Sequence, residues 1–509
     1  MPLIFFLLFF FCCFCFIFSF SWCIVFEVLS SFFYGCSIGL GFNFGVGEFI
    51  FLFMLFFCGF LSLNYNFYYF SGLLVNGCLL TWNLMFFLAS MVFLILSSGV
   101  TSLICWEYLG IVSFFLILFY GNSVSLKASM VTLVTSRLGD LFFFLFIGYY
   151  LFFYVNWVFI GVCFIFIIGS KSAVYPMISW LLEAMRAPTP VSSLVHSSTL
   201  VAAGFWFLFE YSYLVTGNSI FFFILSGFCF TTIMLTSFVV LLIDDVKKMV
   251  ALSTSNNISW CIIFFLFGDP LLGVIQLLIH GLGKCMLFIL FGDLMSCNGS
   301  GQSYKGFYCI FGGHLVGYLF FSIFCLCGLP LFGVYFSKHL FFSFFVSSCY
   351  NLAFCIFCCF GVFLSFLYSF RLFFVSLGLL NGGCFAYVLN FYASLLFLPF
   401  MGFISIFLVE LVDEVVDMSF YLSFILNLLS LIGVFGYFLF SGVSFISWGF
   451  SLGYLDFICY YFVFYYVRFS FFVRAAAFRL DSFFVVCAYN FILSFLSVFG
   501  SVGLFFYLV

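Results

Sequence analysis

Ionisable side chains are rare in this sequence, and several lie in the middle of long apolar runs. Lysine, glutamate and histidine can take up and release protons once burial and neighbouring charges alter their pKa values. A charge inside a membrane helix is costly, so such residues are functional candidates by default. Acids, lysines and histidines on successive helices are the pattern that a proton relay requires. The candidates are Glu107, Lys171, His196, His280, Lys284, Lys338 and His339.

Arg137 and Asp140 lie three residues apart in TSRLGD and therefore share one helical face. Arginine does not release its proton, so we interpret these two residues as a supporting charge pair. A salt bridge between helices, or a helix cap, would explain any one of the candidate residues alone. Several of them in the middle of apolar runs favour a relay. A sodium site would instead favour converging carboxylates, carbonyls and hydroxyls.

The elements that hold these residues must be membrane helices. The chain has 509 residues, of which 67% are hydrophobic and 6% are charged, whereas soluble domains carry roughly 25% charged residues. This composition excludes a soluble globular protein and a disordered one. The net charge of −3 and the lack of a basic patch exclude a nucleic-acid binder. We therefore predict an all-α polytopic membrane protein with most of its mass in lipid.

Phenylalanine and cysteine are unusually abundant, with 97 and 23 residues. A T-rich genome, such as that of animal mitochondria, would produce this bias. Most cysteines lie in apolar runs, where they behave as small buried hydrophobes. A metal site would need organised spacing with histidine or acidic partners. We therefore predict no metal site.

Apolar runs of about 20 residues predict membrane spans, and the punctuation between runs separates fifteen of them. A Gly-rich stretch at 27–46 is predicted to form a hairpin outside the membrane. The predicted spans are 3–25, 48–64, 79–98, 101–120, 124–153, 157–175, 189–211, 219–243, 246–267, 270–296, 312–347 (broken near Pro330), 351–375, 386–409, 418–441 and 487–508.

Residues 455–485 differ from these spans, because five charged residues are spread through an aromatic run. Each charge at the centre of a bilayer costs at least ~2.5 kcal/mol on insertion scales. A lateral amphipathic helix along the membrane surface suits this composition better. An ordinary loop followed by a short span is the alternative.

Two of the lysines lie near helix breakers. Lys171 follows Gly169, and Lys338 follows Pro330 in GLPLFGVYFSKHL. Broken helices near the membrane midplane are typical of transporters built from inverted repeats. We predict two inverted five-helix repeats at 79–211 and 219–375. The remaining regions are the N-terminal spans and hairpin at 1–78, additional spans at 386–441, the lateral helix, and a terminal anchoring span at 487–508.

The segment KSAVYPMISWLLEAMRAPTPVSSLVHSSTLVAAG resembles the signature of the antiporter-like membrane subunits of respiratory complex I. Further resemblance lies in WEYLGIVSFFLI, SRLGDLFFFL, DDVKKMVALSTSNNISW, HGLGKCMLF and GLPLFGVYFSKHL, in the family's order. Phe- and Cys-rich chains of this family look like those of nematodes or flatworms. The resemblance implies a pair of inverted five-helix repeats, extra spans and a lateral helix. The chain is short for the family and is expected to lack one N-terminal span.

The resemblance also implies roles for individual residues. Glu107 would be the acid of a first half-channel, and Lys171 would be the lysine that it faces. Asp140 would form an electrostatic pair near a subunit boundary, and His196 would connect toward the centre. The family usually has His-Pro-Trp where residues 178–180 read Ile-Ser-Trp.

In the second half, His280 and Lys284 would form the central axis, and Lys338 would be the lysine of the exit half-channel. The family usually has a histidine where Gln276 stands, and an acid where His339 follows Lys338. A relay through Gln276 would need a bridging water, and His339 is expected to tune the exit lysine differently.

The leading interpretation is a proton-translocating subunit of an NADH:ubiquinone oxidoreductase in the mitochondrial inner membrane. The resemblance implies that its partners are other complex I membrane subunits, especially a neighbouring antiporter-like subunit, together with lipid. Flavin, iron–sulfur clusters and quinone are expected on partner subunits, because this chain has no Gly-rich dinucleotide turn and no cysteine quartet. A subunit of a multi-subunit cation/proton antiporter is the alternative. A purely structural scaffold is a third class, which the mid-run charges disfavour.

Overall fold

The chain divides into two units, residues 1–453 and 454–509, and every residue described below belongs to the first. The predicted spans 386–409 and 487–508, the lateral helix 455–485 and most of the span 3–25 lie outside the described residues. The computed structural model describes residues 23–29, 38–43, 45–72, 74–96, 100–152, 157–212, 219–297, 301–302, 309–310, 313–330, 332–347, 352–377, 384–385 and 420–441.

An antiparallel hairpin precedes the described helices. Strand β1 (Cys23–Leu29) pairs with β2 (Ile38–Asn43), and Cys23 lies opposite Asn43. The sequence predicted a hairpin at 27–46, but it placed residues 23–25 at the end of a helix, which is wrong. The β-branched and aromatic residues Ile24, Val25 and Phe26 favour an extended strand. Two further short strands, β3 (Cys309–Ile310) and β4 (Cys384–Phe385), pair in parallel.

Helices account for most of the described chain. The first eight are α1 (Val46–Tyr69), α2 (Leu74–Leu96), α3 (Val100–Leu118), α4 (Ser123–Phe152), α5 (Trp157–Ser172), α6 (Ser179–Ala184), α7 (Thr189–Leu194) and α8 (Leu200–Glu210), with a π-helical turn, Val195–Thr199, joining the last two. The others are α9 (Ser219–Val240), α10 (Val246–Phe267), α11 (Pro270–Cys297), α12 (Gly313–Cys327), α13 (Val334–Ser347), α14 (Leu352–Leu377) and α15 (Phe420–Ser441).

Eight helices of the described residues are long and apolar enough to cross a membrane. They are α1, α2, α4, the run from α7 to α8, α9, α10, α11 and α14. Four shorter apolar helices, α3, α5, α12 and α15, accompany them. Apart from the end of the predicted span 3–25, helix ends agree with the sequence-predicted spans to within about five residues wherever those spans are described. The chain is therefore a multi-pass, helical membrane protein.

The predicted break near Pro330 separates α12 from α13. Gly328 has a φ of 78°, a left-handed conformation that glycine adopts without steric cost. Pro330 cannot donate a backbone hydrogen bond. Together these residues end α12 and leave its last carbonyls without helical partners.

The centre of the bundle is formed by α7, α8, α10 and α11. The apolar windows of Thr189–Glu210 and Pro270–Ser296 are 100% buried, whereas that of Ser123–Gly148 in α4 is 28% buried. Gly204 lets α8 pack closely against α5, because a Cβ at this position would lie 2.9 Å from the backbone nitrogen of Ser172. His196, His280 and Lys284 are buried in this core, and Lys171 is buried at the end of α5.

Candidate functional site

Four charged residues form a continuous chain across α3, α4 and α5. Glu107 on α3 pairs with the guanidinium of Arg137 on α4. Arg137 lies 3.5 Å from the Asp140 carboxylate one turn further along α4. Asp140 in turn lies 3.3 Å from the ammonium of Lys171, at the end of α5. Charge thus alternates from the half-exposed Arg137 inward to the buried Lys171.

The Lys171 ammonium is held on two sides. Its nitrogen lies 5.1 Å from the centre of the Trp106 ring, a distance at which an aromatic face attracts a cation. Gly110 leaves room for the ion pair, since a Cβ there would lie 3.5 Å from Asp140 Oδ2 and 3.9 Å from Lys171 Nζ. Only 1% of the Lys171 side chain and 2% of that of Asp140 are exposed.

The structure corrects the expected partner of Lys171. The sequence-based interpretation had Glu107 facing this lysine, whereas the carboxylate in contact with it belongs to Asp140. The Arg137 guanidinium engages Glu107 and also lies beside Asp140. Glu107 therefore reaches Lys171 only through two intervening charges.

His196 lies in the π-helical turn between α7 and α8. Such turns are rare insertions in helices and occur frequently at functional sites. The ring is fully buried, and its centre lies 6.2 Å from that of Trp180. Neither ring nitrogen has a hydrogen-bond partner within the described part of the chain. Both nitrogens thus lie in the protein interior, where a water molecule or a mobile side chain could form hydrogen bonds with them.

His280 and Lys284 lie one turn apart on α11, and both are buried. Lys284 Nζ donates a hydrogen bond to the Ser253 hydroxyl on α10. The Val250 carbonyl lies 3.4 Å from the same nitrogen. In contrast to Lys171, Lys284 is held by neutral oxygens.

Lys338 is placed by the break between α12 and α13. Its ammonium donates to the carbonyl of Cys327 at 2.7 Å, the last residue of α12. It also donates to the Ser365 hydroxyl on α14 at 3.1 Å, and it lies 5.0 Å from the Phe366 ring centre. The helix break thus supplies a carbonyl that binds the lysine. His339, the next residue, is fully buried, and its ring lies 6.2 Å from that of Tyr335.

Gln276, which stands where a histidine was expected, lies one turn before His280 on α11. Its side-chain oxygen accepts a hydrogen bond from the Ser337 hydroxyl on α13. Ser337 directly precedes Lys338, so this contact ties α11 to the helix that carries Lys338.

The sequence-based interpretation missed the hydroxyls of Ser253 and Ser365, which bind Lys284 and Lys338. The run STSNNIS at 253–259, inside an otherwise apolar helix, was an available signal. For Ser365 the signal was weak, because it is one of many isolated serines in apolar helices. The arrangement as a whole offers buried lysines and histidines, with polar contacts between neighbouring helices. Such groups can pass protons.

A family model described as "NADH:quinone oxidoreductase/Mrp antiporter, TM" matches residues 97–367. NADH-ubiquinone oxidoreductase chain 5 of Caenorhabditis elegans is 35% identical over 387 residues, covering 72% of this chain and 71% of that protein. The protein of the same name from Ascaris suum is 35% identical, covering 61% of this chain and 56% of its own length.

Two solved structures share the fold. A chain of the Mrp complex from Dietzia sp. DQ12-45-1b has a TM-score of 0.68 at 19% identity, covering 89% of this chain and 55% of that one. A chain of the membrane-bound sulfane sulfur reductase, an archaeal respiratory membrane complex, has a TM-score of 0.69 at 18% identity, covering 86% and 93%. At these identities the likeness concerns the fold alone.

Proposed function

The chain belongs to the transmembrane family shared by NADH:quinone oxidoreductases and Mrp antiporters, and we propose that it is a core proton-translocating subunit of an NADH:ubiquinone oxidoreductase. Its relatives named NADH-ubiquinone oxidoreductase chain 5 in two nematodes support this assignment. The sequence-based identification of an antiporter-like membrane subunit is confirmed at the level of the family.

The observation that carries the proposal is the row of three buried lysines on three helices. Lys171, Lys284 and Lys338 are each in contact with a polar group of a neighbouring helix. Burying a lysine in a membrane helix is costly, so a buried lysine is a functional candidate. Three of them, with buried histidines beside or between them, fit a relay better than a scaffold.

In this relay the Lys171–Asp140 pair acts as the first switch. Asp140 lies between two cations, at 3.5 Å from Arg137 and 3.3 Å from Lys171. A small movement of its carboxylate toward Arg137 would leave Lys171 uncompensated, and a desolvated lysine without an anion gives up its proton more readily. Glu107 acts on this balance through Arg137. The charge state of Glu107 can therefore influence Lys171 without direct contact.

The later steps use neutral contacts. His196 passes protons toward the centre, His280 and Lys284 form the central station, and Lys338 with His339 forms the exit station. Within the described residues, the hydrogen bonds of Lys338 go to a carbonyl and a hydroxyl, and no carboxylate there forms an ion pair that would trap the proton. That is the property an exit station requires.

The two inverted five-helix repeats, 79–211 and 219–375, are part of the same proposal, as is the total of fifteen spans. Lys171 is the second-last residue of α5, just before a non-helical segment. Lys338 follows the break after α12. A lysine beside a helix interruption in each half supports the repeat.

Partner subunits would supply the rest of the enzyme. Arg137 and Glu107 lie midway along their helices with 39% and 22% of their side chains exposed, and charges there are costly against lipid. A neighbouring membrane subunit covering this surface would remove that cost, and the predicted lateral helix 455–485 would contact further subunits. We assign the flavin, the iron–sulfur clusters and the quinone to partners, and the assembly to the mitochondrial inner membrane.

A subunit of a multi-subunit cation/proton antiporter is the second candidate, supported by the fold shared with the Mrp complex. The two candidates differ in their energy source. The test is to purify the assembly containing this chain and reconstitute it in vesicles. Proton translocation driven by NADH and quinone, without added sodium, is the expected result. Translocation that instead requires a sodium or potassium gradient would favour the antiporter and overturn the proposal.

A further inference from the structure

A polar contact joins α10 to α14 about one helical turn from Ser253 and Ser365, the serines that bind Lys284 and Lys338. The Tyr368 hydroxyl on α14 donates a hydrogen bond to the side-chain oxygen of Asn257 on α10, at 3.3 Å. Both side chains are buried, with 4% and 5% of their surfaces exposed. Burying a tyrosine hydroxyl and an amide between apolar helices is costly unless the two groups are hydrogen-bonded, as they are here.

The same face of α10 carries the contact to Lys284. Ser253, which accepts from Lys284, lies four residues before Asn257, and the two therefore share a helical face. One turn of helix, about 6 Å, separates them along the axis. That span matches two hydrogen bonds through a single water molecule.

The same region of α14 carries the contact to Lys338. Ser365, which accepts from Lys338 at 3.1 Å, lies three residues before Tyr368, or about 4.5 Å along the helix. Gly361 lets α14 approach α10 here, because a Cβ at this position would lie 2.9 Å from the Trp260 ring. Each lysine-binding serine thus lies one helical turn from one member of the Asn257–Tyr368 pair, on the same face of its helix.

The alternative link between the lysines is the Gln276–Ser337 contact. The Gln276 amide does not titrate, and its side-chain oxygen only accepts in this contact. This contact therefore clamps α11 to α13 more than it conducts. The hydroxyls of Ser253, Tyr368 and Ser365 form what we call the α10–α14 seam. Unlike an amide oxygen, each hydroxyl both donates and accepts.

We propose that Tyr368 is the proton-transfer group between Lys284 and Lys338, and that Asn257 is its positioning residue; this rests on the proposed proton-translocating function. The proton leaves the Lys284 ammonium toward Ser253. Each hydroxyl or intervening water molecule takes up one proton as it passes its own on, and neutral Lys338 accepts the last. No electron moves, and every hydroxyl ends as it began. The Asn257 oxygen holds the Tyr368 hydroxyl in the seam.

The test uses the whole complex carrying Tyr368→Phe, reconstituted in vesicles. Lys338→Met is measured first, and the proton translocation that it loses relative to the parent complex is the part that depends on this chain. Tyr368→Phe keeps the ring and removes only the hydroxyl, and we expect it to lower that dependent part about 10²-fold, the lower end of the contribution of a positioned proton-transfer group. Ser365→Ala, which removes the Lys338 contact on the same helix, is expected to act in the same direction and serves if Tyr368→Phe does not assemble.

Tyr65→Phe is the matched control. Tyr65 is also buried, and its hydroxyl accepts from Thr189 at 3.5 Å and forms a hydrogen bond with Asp293, but it lies on α1, outside the seam. This variant is expected to translocate protons normally. A solvent deuterium isotope effect on the residual translocation is expected to rise in Tyr368→Phe and not in Tyr65→Phe, which a loss of packing alone would not produce.

Asn257→Leu tests the positioning role. Combined with Tyr368→Phe, it should cause no further loss, because both changes interrupt one step. Losses that multiply in the double variant would place the two residues on separate routes and overturn the proposal. Normal translocation in assembled Tyr368→Phe, with translocation lost in Lys338→Met, would overturn this inference alone. Normal translocation in Lys338→Met would overturn the proposed function together with it.

Discussion

Replacing Asp140 by asparagine removes the only charge partner within 4 Å that Lys171 has among the described residues. Both side chains are almost fully buried, and their charged atoms lie 3.3 Å apart. Removing one member of a buried ion pair costs about 3–5 kcal/mol, because the other charge stays buried without compensation. The Trp106 ring faces Lys171 in both the parent and the variant, so it does not offset this loss. Asp140→Asn is therefore expected to loosen the packing of α4 against α5.

The assay is native-state hydrogen exchange of the peptides that cover α4 and α5. A loss of 3 kcal/mol in local opening free energy corresponds to exchange about 10²-fold faster. Asp140→Asn combined with Lys171→Met should restore most of the protection, since no unpaired charge then remains. Glu107→Gln is the comparison, because it leaves the Asp140–Lys171 contact in place. Equal effects of Asp140→Asn and Glu107→Gln on exchange, or no recovery in the double variant, would refute the assignment of Asp140 as the partner of Lys171.

Further predictions concern three other regions. Glu107→Gln should lower proton translocation more than the amount of assembled complex, as measured by vesicle acidification and native gels; normal translocation at normal abundance would make this carboxylate structural only. Gly204→Ala should cost about 1–3 kcal/mol from overpacking, because its Cβ would lie 2.9 Å from the Ser172 nitrogen; an unchanged thermal midpoint would contradict the close packing of α8 against α5. Truncation before Tyr454 should weaken subunit assembly while leaving the remaining helices folded, which co-purification of partner subunits measures; undiminished co-purification would contradict the predicted lateral contact.

The helices could be predicted well because lipid imposes one dominant constraint. A span needs about 20 apolar residues, and the polar punctuation between spans is sparse, so the ends of α10 and α11 follow from the sequence almost to the residue. The break after Cys327 was equally predictable, since proline at 330 interrupts a helix and glycine at 328 favours a helix end. The hairpin at β1 began earlier than expected, because Phe- and Val-rich residues suit both a strand and a membrane helix.

The charge partners could not be predicted in the same way. Spacing within α4 places Arg137 and Asp140 on one face, but it does not say which neighbouring helix meets which residue. That choice depends on helix rotation and on close approaches such as that of Gly110 to the ion pair. Hydroxyl partners such as Ser365 are harder still, because serine satisfies its hydroxyl locally in most helices.

Proton translocation by the assembled complex carrying Lys338→Met tests the central claim most directly. Methionine keeps a long apolar side chain while removing the ammonium that binds the Cys327 carbonyl and the Ser365 hydroxyl. The account predicts an assembled complex in which the proton translocation that passes through this chain is lost, with quinone reduction slowed to match wherever the two are tightly coupled. Unchanged proton translocation at normal abundance would remove Lys338 from the pathway and contradict the relay.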